Sequence, residues 1–164
     1  MIVALQDLFD AEHAVIERAP SFRADISPGL AAYLVEELAR ARSQADRLRG
    51  SLDALDAQAT DAPNIWLRAT LDDAARDYET IVPGSLRDIA LVGAFRKAKQ
   101  AERVSYETAV GLARALGEDG LAASLLTCRD EELAADHDLA HLLRDLLATA
   151  DADRADADGK TPAG

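Results

Sequence analysis

"FDAEHAVIERA", residues 9–19, decides the fold. Phe9, Glu12, Ile16 and Ala19 recur at steps of three and four, which marks one face of an α-helix. Leu5, Leu8, Val15 and Phe22 extend the same stripe in both directions. A carboxylate, Glu12, therefore lies among apolar residues. Burying such a charge alone is very costly, so a cation or a shared proton must meet it.

The pattern recurs along the chain. A first helix is expected from Ile2 to Asp25, with Pro20 breaking its last turn. In "ISPGL", Ser27 is placed to cap and Pro28 suits a first helical position, opening a second helix that reaches Leu55. Its stripe is Leu30, Leu34, Glu37, Ala41, Gln44, Leu48 and Leu52. A polar connection, "DAQATDAPN", leads to a shorter helix over Asn64–Ile81, which Trp66 is expected to anchor.

Ser85 and Asp88 resemble a capping box for a further long helix that ends at Leu116, before Gly117. Its stripe is Leu91, Phe95, Ala98, Glu102, Ser105, Ala109 and Leu112. Asp119 then caps a last helix to Thr149, with Leu121, Leu125, Cys128, Glu132, Ala135, Leu139 and Leu146 inward. The expected domain is a helical bundle over 1–149, followed by a disordered acidic tail over 150–164 that has no large apolar residue.

The fold class is all-α: four long helices, with a short extra helix in the crossover. So long a crossover favours two antiparallel hairpins over a simple up-and-down meander. The formal net charge of −12 argues against nucleic acid and against an anionic membrane surface. The single cysteine forms no internal disulfide, no apolar run is long enough to span a bilayer, and "MIVALQDLFD" lacks the basic start of a signal peptide. A cytoplasmic protein is the expectation.

Each long helix carries one Glu on its inner stripe near mid-length: Glu12, Glu37, Glu102 and Glu132. Four inward carboxylates require metal ions, protons or basic partners. In dinuclear carboxylate bundles, two helices each give a Glu and two give Glu-x-x-His, which leaves open positions for oxygen chemistry.

From Leu5 to Leu147 the chain resembles the YciE/YciF-like branch of the ferritin-like superfamily, which are bacterial stress-associated proteins. The likeness rests on "DLFDAEHAVIERA", "QADRL", "KQAERVSYETAVGLARALG" and "RDEELAADHDL" in that order. It implies a ferritin-like four-helix bundle, with a homodimer as the expected assembly. The helix-one Glu of the family falls on Glu12. The second Glu of its E-H-x-E segment falls on Glu102, while Lys99 and Gln100 stand at that segment's first acidic and His positions. Its "EE…D" falls on Glu131, Glu132 and Asp136. Aligning "QADRL" puts Ala39 and Arg40 where a Glu pair belongs and Gln44 at the last position; Glu37 lies about one turn early.

Two readings follow, and the chain is left open as to being an enzyme. In one, the dinuclear site is degenerate: Arg40 and Lys99 neutralise Glu12, Glu102 and Glu132, and the protein acts structurally or through a partner. In the other, Glu12, Glu37, Glu102, Glu132 and Asp136 hold iron or manganese for oxidase, peroxidase or catalase-like chemistry, with Glu37 replacing the missing helix-two ligand. A third, weaker reading is a helical interaction module whose inner glutamates reach solvent.

Among neighbouring residues, Glu131 is expected to be solvated, while Asp136, one turn from Glu132, is an interior candidate. His137 and His141 have zinc-ligand spacing but fall off the inner stripe, and His13 points to a neighbouring helix or to solvent. Cys128 reads as a small buried hydrophobe, and Tyr106 as a packing residue near Glu102.

Overall fold

The computed structural model describes residues 1–59 and 63–159. Residues 60–62 of the polar connection and 160–164 of the expected tail lie outside the described residues. The elements are α1 (Ile2–Arg18), a 3-10 turn (Ala19–Ser21), α2 (Pro28–Asp53), α3 (Ile65–Thr80), α4 (Ser85–Ala115) and α5 (Asp119–Gly159). No strand occurs among the described residues.

Side-chain contacts set the helix directions. The Ser27 amide, before α2, donates to Asp88 Oδ2 in the first turn of α4 at 2.7 Å, so these two helices start at one end of the bundle. Arg47 late in α2 pairs with Glu131 early in α5, and a Cβ on Gly29 would lie 2.9 Å from Leu142 Cδ1. Thus α2 and α5 are antiparallel and approach closely near Gly29. Asn64 meets Asp7 and Asp10 at the start of α1, and Tyr78 reaches Ala24 beyond its end, so α3 runs beside α1 in the same direction. The crossover carries the chain back along the bundle, and the hairpins α1–α2 and α4–α5 lie against each other.

The apolar stripes explain this packing. Two clusters fill the core. One gathers Phe22, Leu30, Leu71, Leu91, Phe95 and Leu139; the other gathers Leu5, Leu8, Leu48, Leu52, Tyr106 and Leu125. Ring edges of Phe22 and Tyr33 meet Phe95. Arg87 is buried over the Tyr78 ring and donates to the carbonyls of Ala24 and Asp25, fastening the corner where Asp25 turns at φ 54°.

Several expectations change. The first helix stops at Arg18, because Pro20 leaves only a 3-10 turn after it. Ser27 caps α2 as expected, accepting from the Leu30 amide. The capping box at Ser85 does not form: Gly84 holds the N-cap position at φ 143°, and Asp88 serves Ser27 instead. Trp66 does not anchor α3, being 53% exposed; Leu67, Leu71 and Ala74 do so. The inward face of α4 rotates at its end, so Tyr106 and Ala113 are buried while Leu112 is 41% exposed. The last helix continues past Thr149 to Gly159, since no Gly or Pro interrupts it earlier.

Among the described residues, this extension carries no buried apolar residue beyond Leu146. Removing residues 150–164 should therefore change the free energy of urea unfolding by less than about 0.5 kcal/mol. Phe95→Ala should cost about 3–5 kcal/mol in the same assay, because it opens a cavity between the two hairpins.

Candidate functional site

The inner glutamates meet at mid-depth, where their four helices converge. Glu12, Glu37 and Glu132 are fully buried and Glu102 is 2% exposed. Lys99 stands among them, also fully buried. Its Nζ lies 2.7 Å from Glu102 Oε2 and 2.7 Å from Glu132 Oε2, and it also pairs with Glu37 Oε1. A single ammonium thus joins α2, α4 and α5. It reaches Glu102 as an i, i+3 neighbour on its own helix, and the other two across the core.

Glu37 is served twice more. Arg40, one turn along α2, pairs with its Oε2, and Tyr33, one turn before, donates its hydroxyl there at 3.1 Å. Glu12 is joined to α4 through Tyr106, whose hydroxyl donates to Oε1 at 2.6 Å. Below this layer, Gln44 donates to Glu131 Oε2 at 3.0 Å, and Arg47 grips the same carboxylate with both terminal nitrogens.

Four buried carboxyls face two cations, Lys99 and Arg40. Protonation resolves the imbalance. Burial, reinforced by Glu102 and Glu132, holds the Glu12 carboxyl well above the usual carboxylate range. Burial also pushes Glu102 up, to about 8, against the pull of Lys99. For Glu37, burial is outweighed by Lys99 and Arg40, and its carboxyl is held below the usual range. Burial opposes the charge on Lys99, but Glu102, Glu132 and Glu37 together outweigh it and keep the ammonium protonated. Protons on Glu12 and Glu102 near neutral pH thus reduce the excess of negative charge around Lys99 and Arg40.

The structure brings Glu12, Glu37, Glu102, Glu132 and Lys99 into one cluster, with Arg40 at its edge. Arg40 does not reach Glu12, Glu102 or Glu132 as expected; its fork ends on Glu37, three residues away on the same helix. Asp136 lies outside the cluster. It accepts from Arg96 Nε at 2.7 Å and from Gln100 at 3.3 Å on the outer side of the α4–α5 pair. Glu131 is held by Gln44 and Arg47 rather than left to water. The part of Tyr33 was missed, although its position four residues before Glu37 signals that contact. Tyr106 does more than pack, and its partner is Glu12 rather than Glu102.

The histidines and the cysteine stand away from this centre or are inert. His137 and His141 are exposed, and His13 Nδ1 faces the Phe9 carbonyl at 3.0 Å. Cys128 is buried and, with burial pushing its thiol up to about 12, it is not a nucleophile. Nor does the donor set suit a pair of metal ions. The central position holds an ammonium that would repel them, and no imidazole faces it. Among the described residues, no group of three or more His, Cys, Asp or Glu side chains is arranged to hold a metal ion.

These elements and this carboxylate centre define a ferritin-like helical bundle. The chain belongs to the family described as a domain of unknown function, DUF892, whose model matches residues 1–152. It is similar in structure to the Escherichia coli stress protein YciF, with TM-score 0.84 and 23% identity over 90% of this chain and 94% of that one. It is also similar to YcfI of Rhodopseudomonas palustris, provisionally described as a structural protein, with TM-score 0.78 and 23% identity over 83% and 87% of the two chains. No curated protein matches the sequence. No helix among the described residues is long and apolar enough to cross a membrane.

The raised carboxyls make stability depend on pH in a definite sense. Glu102 binds its proton more tightly in the folded chain, so its contribution is complete below the ordinary value of 4.5 and is lost as pH rises through about 8. Glu12 acts in the same direction, while Glu37 contributes above 4.5 and loses its share as pH falls through its lowered value. The unfolding midpoint in urea should therefore drop between about pH 5.5 and about pH 8.5. Glu102→Gln should flatten that slope; an unchanged slope would count against a proton on Glu102.

Proposed function

We propose that this protein is a stress-associated structural bundle in which the charge of a dinuclear metal centre is replaced by Lys99, helped by Arg40 and by protons on Glu12 and Glu102. It acts through a stable fold and its surface, not through metal-bound oxygen chemistry. The observation that carries this reading is the Lys99 ammonium in contact with Glu37, Glu102 and Glu132. An ion in that position would need the ammonium to leave and Glu102 to give up its proton. The association with stress and the structural role come from the printed descriptions of the two similar structures. Assembly as a homodimer belongs to the same proposal, and light scattering after gel filtration tests it.

The alternative, an iron or manganese enzyme using Glu12, Glu37, Glu102, Glu132 and Asp136, has the presence of Glu37 in the cluster in its favour. Against it stand Lys99 at the centre and the engagement of Asp136 by Arg96.

Metal analysis separates the two. Untagged protein, expressed with added iron and manganese, should carry far less than one metal ion per chain by mass spectrometry. About two per chain would overturn the proposal. Lys99→Met should destabilise the bundle by about 3–5 kcal/mol at neutral pH, because it strands three carboxyls in the core. Mild acid should restore part of that loss by protonating them.

A further inference from the structure

The seam between α1 and α2 has an apolar floor on the outside of the bundle. Along α1, Phe9, His13, Ile16 and Pro20 recur at steps of three and four. Along α2, Val35, Leu38, Arg42, Ala45 and Arg49 do the same. The floor continues to the corner, where Ala19, Ile26, Leu34 and Leu38 wall a hollow of about 280 Å³ beside Arg23. Val35 in its wall is 67% exposed, so this apolar side chain is left without cover. From Val35 to Arg49 the seam is about 21 Å long at 1.5 Å per residue, or about four helical turns.

The charge on this seam is opposite to that of the chain. The net charge is −12, yet neither stripe carries an acidic residue, and Arg23, Arg42 and Arg49 are exposed along it. Among the described residues, the ion pairs made by α2 arginines are those of Arg40 and Arg47, on other faces of the helix; Arg42 and Arg49 make none, and neither does Arg23. Asp10 and Glu17 of α1 are taken by Arg68 of α3. Arg49 lies over the Phe9 ring, 5.0 Å from its centroid, and the same ring meets His13. A guanidinium laid on a ring keeps its fork of donors for an incoming carboxylate.

We infer that this seam docks an acidic amphipathic helix of another protein. The apolar stripe of that helix lies over Ile16, Val35 and Leu38, and its carboxylates meet Arg23, Arg42 and Arg49. Symmetry disfavours a second copy as the occupant. Two-fold pairing sets the same surface against itself. About an axis near mid-seam, it would bring Arg42 to Arg42 and Arg23 to Arg49, cation against cation. A flat anionic bilayer does not enter a groove between two helices, and the net charge opposes its approach. Docking here rests on the reading of a bundle that acts through its surface and gives that surface a partner class; it uses no residue of the buried centre.

The full chain is titrated into a fluorescein-labelled peptide of about 18 residues, with Leu at steps of three and four and Glu and Ala elsewhere. One control peptide replaces each Glu by Lys; the other keeps the composition and scrambles the Leu stripe. By fluorescence anisotropy, the acidic peptide should saturate at least about tenfold tighter than either control. Arg42→Glu combined with Arg49→Glu changes two exposed side chains, so it should leave the urea midpoint in place and weaken the acidic peptide at least about tenfold. Equal binding of the scrambled peptide would overturn the inference, since it would mark diffuse attraction to exposed arginines. So would no saturable binding, or an affinity unchanged in the double variant. A chain that is dimeric by light scattering and turns monomeric in Arg42→Glu would overturn it too, because a second copy would then be the occupant. Metal content, which tests the buried centre, is read separately from each of these results.

Discussion

The structure turns on one ammonium group. Lys99 places a positive charge at the depth where four helices each turn a glutamate inward, and it binds three of the four. Without that charge, Glu37, Glu102 and Glu132 would be like charges crowded in a low-dielectric interior, which proteins avoid by neutralising or expelling them. With it, the carboxyls become ties between helices. The registers of α2, α4 and α5 are then fixed at one level, because sliding any helix by a turn would carry its glutamate away from Nζ. Glu12 extends the same tie to α1 through Tyr106.

Such a centre contributes specificity more than net stability. Each ion loses its hydration on burial, and the ion pairs repay only part of that loss. Protons on Glu12 and Glu102 lower the cost by reducing the buried negative charge. Most of the stabilisation comes instead from the two apolar clusters above and below the charged layer, where Phe22, Phe95, Leu71 and their neighbours are excluded from water. The polar layer separates these clusters and decides which helix faces which.

Much of this was legible from residue spacing. The steps of three and four around Glu12 placed it inward, and the same rule found Glu37, Glu102 and Glu132. Ser27 with Pro28 marked the start of α2 because capping is a local, one-turn interaction. What escaped was set by geometry between helices. Alignment with the related motifs put Glu37 one turn early, yet its carboxylate meets Lys99 across the core. Arg40 was expected to reach three glutamates across the core, but a long side chain satisfies the nearest carboxylate on its own helix first. Asp136 shares a nominal face with Glu132, but Arg96 on α4 draws it to the rim. Trp66 looked like an anchor because of its size, whereas the smaller Leu67 and Leu71 point inward and leave the indole half exposed.

On the proposed reading, the lysine amine and not a metal ion fills the space between the carboxyls. The most direct test of this is a crystal structure of protein grown with manganese, with anomalous diffraction measured above the manganese absorption edge. Continuous density is expected for Lys99 ending between Glu37, Glu102 and Glu132, with no anomalous peak there. A peak at that position, with the Lys99 side chain displaced toward solvent, would contradict it.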